Sequence, residues 1–325
     1  MNKMVDLITG GTGFIGTKLV EALSKQGRKL RVLVRKTSKI NDLKRFNPEF
    51  VFGDINDKDS LKRAVKGVDT VFHLAGFIGG AGVGYKELHR INVVGTRNLM
   101  EACAESKVKK VVHFSSVSAM GEVKQYANED VSCNPVSFYD KSKYKGELAV
   151  REFKRKFKVI IVRPTIVYGP GELKTRMKMF KLVNKGVFRI IGHGRNLIAM
   201  VYVDNLIEGV LLADKKGVPG EAYILSDERV YTMNEFFGAI AKEERVKIPG
   251  HIPKWLAYPV ALAFEVLARI SSFNAPLSFE RIRTLTISKS FSIEKAKREL
   301  GYSPKVGLRE GVRRTVGWYK EQGVL

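Results

Sequence analysis

The segment Leu7-Ile8-Thr9-Gly10-Gly11-Thr12-Gly13-Phe14-Ile15-Gly16 indicates which fold this chain adopts. An apolar run enters a glycine-rich turn, and apolar residues then recur at helical spacing up to Leu23, which predicts a strand, a tight turn and a helix. Glycines at positions 10, 13 and 16 permit the turn, the approach of a phosphate and close packing of helix on strand. The helix N-terminus, with Phe14 and Ile15 at its start, directs amides and the positive end of its dipole at an anion. A lone glycine triplet also occurs in ordinary loops, but the second strand-like run that follows the helix favours a dinucleotide site.

Strand-like and helical patterns alternate through the first half of the chain. The strand-like runs are Leu30–Val34, Glu49–Phe52, Thr70–Leu74, Val111–Ser115 and Val159–Val162, and the helical stretches are Ser60–Val65, Glu87–Ser106 and Tyr139–Phe157. Alternation of this kind predicts an α/β fold in which crossover helices join parallel strands. Ligands of such sheets bind beyond the carboxyl ends of the strands. The residues expected there are Arg35, Asp54, Ala75-Gly76, Ser115-Ser116 and Arg163-Pro164.

The alternation breaks down after about Pro170, which predicts a second region. We expect residues 1–169 to form the dinucleotide-binding domain, and residues 199–225 to return to its sheet. Residues 170–198 and 226–325 then form a smaller, discontinuous, mixed α/β region that binds the substrate.

The composition narrows the class of protein. With 325 residues and 44% hydrophobic content, the chain can bury a sizeable core. Two cysteines give no disulfide framework, and five histidines lack metal-ligand spacing, so we expect a reducing cytoplasm and no metal site. The start of the chain lacks the pattern of a signal peptide, and no segment predicts a membrane span.

The net charge of +24 is compatible with nucleic acid, an anionic membrane surface or anionic small ligands. No nucleic-acid module and no basic stripe with interleaved aromatics is present, so no nucleic-acid partner is expected. The densest basic stretch, 141–158, is interpreted as the solvated end of a helix, where cations favour the helix dipole.

Tyr139 and Lys143 stand four residues apart in a helical pattern, so both side chains point the same way. A tyrosine with its ordinary pKa of about 10 is a poor base at neutral pH, and an adjacent ammonium helps to stabilise its phenolate. Ser116, at the end of a strand, can hydrogen-bond the same substrate oxygen. Asn92 lies where a helix can open to hold a water. Tyr-x-x-x-Lys alone is also common in surface packing, so the chemistry depends on these additional residues.

Over nearly its whole length the chain resembles the extended short-chain dehydrogenase/reductase family, and the order and spacing of the motifs are highly specific. The matching landmarks are Thr9–Gly16, Gly53-Asp54, His73-Leu74-Ala75, Asn92–Asn98, Ser115-Ser116, Tyr139–Lys143, Arg163-Pro164, Tyr168-Gly169-Pro170, Val203-Asp204 and Glu294–Tyr302. The resemblance implies a Rossmann-type sheet of about seven strands and an oxidoreductase acting on CH-OH groups. Its catalytic set would be Ser116, Tyr139 and Lys143, with Asn92 in support.

The resemblance also implies that Tyr139 exchanges a proton with the substrate oxygen while a hydride moves to or from the nicotinamide. Lys143 would bind the nicotinamide ribose and lower the pKa of Tyr139. Further cofactor contacts are implied for Asp54, Ile55, Leu74, Ala75, Gly76 and Pro164. In many relatives the helices Glu87–Ser106 and Tyr139–Phe157 form a dimer face, so a homodimer is expected.

Arg35 follows the second strand, where an acidic residue would accept the ribose hydroxyl of NAD and an arginine accommodates the 2′-phosphate of NADP. The sequence therefore favours NADP over NAD, with a solvated loop charge as the alternative. The segment resembles the dihydroflavonol-reductase-like branch, with 3β-hydroxysteroid dehydrogenases as neighbours. Sugar-nucleotide epimerases and dehydratases are the alternative. A non-catalytic NADP-binding interaction protein is a remote third, opposed by the intact catalytic set.

The epimerase alternative depends on phosphate-binding arginines. Many sugar-nucleotide enzymes carry an arginine where this chain has Ile198, which favours a largely apolar substrate. Arg195, Arg281 and Arg283 remain as candidate phosphate ligands. The segment 255–270 is strongly apolar yet too short to span a membrane. Three interpretations stay open for it: a cover over an apolar substrate, a helix that lies on a membrane surface, or an ordinary buried helix.

Overall fold

In the computed structural model, which describes residues 5–79, 83–173, 175–270 and 279–325, seven parallel strands form one sheet. The strands are β1 Val5–Thr9, β2 Lys29–Val34, β3 Glu49–Phe52, β4 Thr70–His73, β5 Lys110–Phe114, β6 Lys158–Pro164, β7 Ile166–Tyr168, β8 Arg189–Ile191, β9 Leu197–Ile198, β10 Met200–Tyr202, β11 Ala222–Leu225, β12 Tyr231–Thr232 and β13 Gly250–Ile252. The order in the sheet is β3-β2-β1-β4-β5-β6-β11. The predicted Rossmann-type α/β fold with about seven strands is confirmed.

Helices cover both faces of this sheet and build the region beyond it. They are α1 Phe14–Lys25, α2 Asn41–Lys44, α3 Lys58–Val65, α4 Tyr85–His89, α5 Thr96–Glu105, α6 Phe138–Arg151, α7 Thr175–Asn184, α8 Val203–Lys216, α9 Met233–Glu244, α10 Lys254–Ile270, α11 Phe279–Thr286 and α12 Leu308–Glu321. A 3-10 helix spans Val117–Met120, and π-helical turns span Arg90–Gly95 and Ala296–Leu300.

Apolar runs account for the layered core. The central strands are buried on both faces, as expected when helices cover both sides of a parallel sheet. In α1, Leu19, Val20 and Leu23 recur on one face, and all three side chains are fully buried. Two buried clusters result, one on each side of the sheet, and the larger one continues into α9 and α12.

Three short strand pairs lie outside the main sheet in the described part of the structure. Strand β10 pairs with β7, β9 pairs with β12, and β8 pairs with β13. Strand β11 lies beside β6 at the edge of the main sheet. The Asn196 Nδ2 bond to the Leu285 carbonyl at 2.9 Å joins the turn before β9 to α11, and the ion pair of Arg283 with Glu122 joins α11 to the segment that follows β5.

Two predicted helices differ from the observed ones. The stretch 87–106 is interrupted at Arg90–Gly95 by a π-helical turn, in which Gly95 packs so closely on Ile55 that a Cβ would lie 2.7 Å from it. The helix that contains Tyr139 ends at Arg151 rather than at 157. Beyond Arg151 the chain continues in turns, and the rings of Phe153 and Phe157 stack on each other there.

Candidate active site

The glycine-rich turn connects β1 to α1 as the sequence predicts. Gly10 has a φ of +74°, and a Cβ there would lie 2.7 Å from the backbone nitrogen of Ala75. A Cβ on Gly16 would lie 2.2 Å from the carbonyl oxygen of Gly10. Gly13 precedes α1 as its N-cap and has no side chain to cap the helix, so the first amides, from Phe14 and Ile15 onward, have no partner within the helix. This geometry fits a pyrophosphate group.

The other expected cofactor residues lie along the same edge of the sheet. Arg35 directly follows β2; its backbone N–H donates to Ser38 Oγ at 3.1 Å, and its side chain is exposed. Asp54 follows β3 and accepts both a backbone and a side-chain bond from Asn56. Ile55 is buried, Leu74 and Ala75 are half-buried, Gly76 is exposed, and Pro164 is the last residue of β6.

Ser116, Tyr139 and Lys143 come together at the ends of β5 and α6. The Ser116 hydroxyl acts on the phenol of Tyr139, whose pKa it lowers, and it also caps the 3-10 helix by accepting from the Ser118 N–H at 3.1 Å. Lys143 is buried, and its Nζ donates to the carbonyl oxygen of Phe114 at 2.7 Å. A Cβ on Gly76 would lie 3.9 Å from Lys143 Nζ, so this lysine lies beside the open end of β4.

Burial shifts the pKa values of Tyr139 and Lys143. Burial, and then the Asp140 carboxylate, raise the pKa of Tyr139 to about 12, although the Ser116 hydrogen bond opposes the rise. Burial lowers the pKa of Lys143 to about 8, although the carboxylate of Glu147 opposes this decrease. Without a ligand Tyr139 is therefore protonated at neutral pH, and Lys143 carries its charge on most molecules. The family resemblance implies that Lys143 lowers the pKa of Tyr139. This effect stays a prediction for the complex with the cofactor.

Asn92 lies inside the π-helical turn, where the helix is opened. Its Oδ1 accepts the Phe77 N–H at 2.7 Å, and its Nδ2 donates to the Phe77 carbonyl at 2.8 Å and to Ser142 Oγ at 2.9 Å. Ser142 Oγ donates in turn to the carbonyl of Tyr139 at 2.8 Å. Asn92 thus joins the loop after β4 to the helix that carries Tyr139.

A buried polar chain that the sequence did not reveal runs from β1 to the π-helical turn. Thr96 Oγ1 donates to the Asn92 carbonyl at 2.8 Å, so it accepts from His73 Nε2 at 3.0 Å. Nδ1 of His73 must then accept from Thr9 Oγ1 at 2.8 Å, and Thr9 Oγ1 accepts the Ala75 N–H at 3.2 Å. Burial lowers the pKa of His73 to about 3, so the ring is neutral and its tautomer is fixed.

Glu147, one turn beyond Lys143, is a second residue that the sequence did not single out. Its carboxylate is buried and accepts from Arg163 Nε at 3.0 Å and Nη2 at 2.6 Å, and from Arg151 Nη2 at 3.0 Å. Arg151 also donates to the carbonyl of Gly220 at 2.7 Å. In the basic stretch 141–158, Arg151 at the end of α6 is therefore half-buried and paired, whereas residues 154–156 are exposed.

The candidate phosphate ligands lie on two segments, which are joined by the Asn196 Nδ2 bond to the Leu285 carbonyl at 2.9 Å. Arg195 is exposed, and its backbone N–H donates to His193 Nδ1 at 3.0 Å. Arg283 forms an ion pair with Glu122, just beyond the 3-10 helix that follows Ser116. Ile198 is half-buried on β9 opposite Tyr231. The side chain of Arg281 lies outside the described part of the structure.

The apolar segment 255–270 is the helix α10. Ala257 and Ala261 are buried against Ile282 and Ile191, but Trp255 and Leu262 are 70% and 53% exposed. The described side chains are therefore not those of an ordinary buried helix. Within the described ranges no helix is long and apolar enough to cross a membrane.

A glycine-rich turn between β1 and α1, and a Ser–Tyr–Lys cluster two strands away at the end of β5, define a dinucleotide-dependent enzyme of the short-chain dehydrogenase/reductase type. The sequence pattern of the NAD dependent epimerase/dehydratase family matches residues 7–226, and the chain belongs to this family.

Two relatives and one solved structure illustrate its range. The chain is 27% identical to a 4-hydroxy-2-methyl-3-oxo-4-farnesyl-3,4-dihydroquinoline-1-oxide ketoreductase of Stigmatella aurantiaca, over 95% of each chain. It is 30% identical to a decarboxylating sterol-4-alpha-carboxylate 3-dehydrogenase of Mus musculus, over 95% of this chain and 89% of the relative. The dTDP-glucose 4,6-dehydratase DesIV of Streptomyces venezuelae, solved with NAD bound, superposes with a TM-score of 0.80 at 26% identity, over 98% of this chain and 97% of that one.

Proposed function

We propose that this protein is an NADP-dependent oxidoreductase that interconverts a secondary alcohol and a ketone on a largely apolar substrate. The observation that carries the proposal is the juxtaposition of Ser116, Tyr139 and Lys143 beside the open ends of β4 and β5. A bound dinucleotide would supply or accept the hydride.

In reduction, the protonated Tyr139 donates its phenolic proton to the substrate oxygen, and Ser116 hydrogen-bonds the same oxygen. In oxidation, Tyr139 removes the hydroxyl proton. The ammonium of Lys143, which donates to the Phe114 carbonyl, would stabilise the phenolate. Proton transfer by a positioned group typically contributes about 10²–10⁴-fold to the rate.

The preference for NADP depends on Arg35, whose exposed side chain follows β2. A hydrogen bond to a charged group contributes about 1.5–3 kcal/mol, so Arg35→Asp should reduce NADPH affinity roughly tenfold to hundredfold and move the preference toward NADH. Lys29→Asp, at the other end of the same strand, is the matched control. Titration of both cofactors into all three proteins measures this. A wild type that prefers NADH, or a preference that Arg35→Asp leaves unchanged, would refute the role of Arg35.

Three observations support an apolar substrate: Ile198 in place of a phosphate-binding arginine, the pairing of Arg283 with Glu122, and the two relatives named for a farnesyl-bearing quinoline and a sterol. A series of methyl ketones of increasing chain length tests it. Each buried methylene contributes about 0.8 kcal/mol, so kcat/KM should rise roughly fourfold per methylene until the site is filled. Epimerisation or dehydration of UDP- or dTDP-sugars without ketone reduction would establish the sugar-nucleotide alternative, which the dehydratase relative illustrates.

We also propose a homodimer through the faces of α5 and α6. Arg97 and Glu152 join these helices in each chain, and Leu148 is exposed on α6. Leu148→Glu should convert the dimer to a monomer in sedimentation equilibrium, and a wild type that sediments as a monomer would refute the proposal.

A further inference from the structure

The outward face of α10 consists of apolar side chains. Trp255, Pro259, Leu262 and Val266 follow one another at intervals of three or four residues, so they share one face of the helix, and all four are exposed. The opposite face, with Ala257 and Ala261, packs onto the protein. Between residues 255 and 267 the single ionisable carboxylate, that of Glu265, is half-buried and accepts the Phe279 N–H at 2.9 Å. Water-facing surfaces of this kind mark interaction sites rather than ordinary protein surface.

The chain that leads into α10 is basic and adds further exposed apolar groups. The side chain of Ile248 is 71% exposed. It lines one surface cavity together with Lys247 and Arg189. Lys254 begins α10 and is exposed. The pairing of β13 with β8 brings this segment beside Arg189.

The stretch of chain that contains β8, the partner of β13, is also basic. Residues 173–203 contain seven lysines and arginines and no aspartate or glutamate. Their described members include Lys185, which is exposed between α7 and β8. An apolar helix face with a tryptophan, flanked by cations and without acidic groups, is complementary to an anionic lipid surface.

We propose that α10 is a membrane-docking helix, which lies in the headgroup region of an anionic bilayer and inserts its Trp255–Val266 face among the acyl chains. The cations Lys185, Arg189, Lys247 and Lys254 pair with anionic headgroups beside it. The proposal does not depend on the reaction, because binding is measured without turnover.

Tryptophan fluorescence tests the insertion directly. The chain has two tryptophans, and Trp318 lies in α12, so Trp318→Phe leaves Trp255 as the only reporter. With vesicles of phosphatidylcholine and phosphatidylglycerol, we expect a blue shift of Trp255 emission and quenching by lipids brominated on the acyl chain. Pure phosphatidylcholine vesicles should give a much weaker signal, and high salt should reduce the signal with anionic vesicles. An unchanged Trp255 spectrum with anionic vesicles would overturn the proposal.

Vesicle co-sedimentation of two variants separates the apolar and the ionic contributions. Trp255→Ser with Leu262→Ser should abolish sedimentation with anionic vesicles, whereas Val218→Ser, an exposed valine beside β11, should not. Lys247→Glu with Lys254→Glu should weaken binding by roughly 25-fold or more, at about fivefold for each cation lost. Lys29→Glu with Lys66→Glu makes the same charge change elsewhere and should have little effect.

The remaining outcomes are equally decisive. If the variant with Trp255→Ser and Leu262→Ser sediments with anionic vesicles as the wild type does, α10 does not dock on the membrane. A different outcome is that the wild type does not bind lipid and that Trp255→Ser with Leu262→Ser changes the mass measured by sedimentation equilibrium. In that case the apolar face of α10 contacts a second copy of the chain, and the proposal fails. Far-UV circular dichroism of each variant confirms that these surface changes leave the fold intact.

Discussion

Replacing Glu147 by glutamine should strongly destabilise the protein, because it leaves the buried guanidinium of Arg163 without its counter-charge. The Glu147 carboxylate accepts two bonds from Arg163, and the exposed fractions of the two side chains are 2% and 4%. Removal of one partner of a buried ion pair costs about 3–5 kcal/mol. Glutamine preserves the volume and one acceptor oxygen, so we expect about 3 kcal/mol.

Glu152, the residue directly after the same helix, provides the matched control. It pairs with Arg97 at 2.6 Å, but both side chains are about half exposed. Exposed pairs contribute about 0–1 kcal/mol, so Glu152→Gln should change the free energy of unfolding by no more than that. In urea titrations followed by circular dichroism, about 3 kcal/mol corresponds to a midpoint shift of roughly 1 M at a slope of about 3 kcal/mol/M.

The destabilisation should also depend on pH with a definite sign. The arginines hold the pKa of Glu147 below its usual value of 4.5 in the folded protein, in spite of burial. The stabilisation is therefore complete above the unfolded pKa and is lost as the pH falls through the folded pKa. The difference between wild type and Glu147→Gln should be full at pH 7 and shrink below about pH 4.5. Equal destabilisation by the two glutamine variants, or a difference that persists unchanged in acid, would refute this account of the ion pair.

Further outcomes follow from the reacting groups and the glycines. Tyr139→Phe should abolish turnover yet leave cofactor affinity nearly intact, whereas Lys143→Ala should impair both; near-normal turnover by the phenylalanine variant would exclude the proton-transfer role. Gly16→Ala should eliminate dinucleotide binding in calorimetry, because its Cβ would lie 2.2 Å from the Gly10 carbonyl oxygen. Gly238→Ala, inside α9 with nothing within 4 Å of the added Cβ, should instead stabilise the protein by about 0.5–1 kcal/mol, and destabilisation in thermal unfolding would contradict that account.

The sequence predicted those features that depend on local spacing. The turn from Thr9 to Gly16 could be located because glycines and apolar positions fix a strand, a turn and a helix within about twenty residues. Strand ends follow from the same apolar runs, so Ser116 and Arg35 could be placed at the ligand-binding edge. Helical periodicity alone placed Tyr139 and Lys143 on one face of a helix, whereas their chemical role depended on Ser116, Asn92 and the order of the other motifs.

The features that escaped prediction join distant parts of the chain. His73 contacts Thr9, 64 residues away, and a histidine inside an apolar strand gives no sign of its partners. Glu147 stands among lysines and arginines in a polar helical pattern, so its burial against Arg163 depends on which face of α6 meets the sheet. The exposure of one face of α10 could not be predicted either, because the sequence of an apolar helix is the same whether other elements cover it or not.

The position of β11 has a consequence for synthesis on the ribosome. Strand β6 pairs on one side with β5, but its other neighbour is Ala222–Leu225, about sixty residues later, which takes roughly 3–12 s to make at about 5–20 residues per second. During that interval Val159–Val162, all apolar, form the open edge of the growing sheet, and an open apolar edge invites pairing with other chains. We therefore expect a chain truncated before residue 222 to aggregate, although it contains the complete glycine-rich turn and all three residues of the Ser–Tyr–Lys cluster.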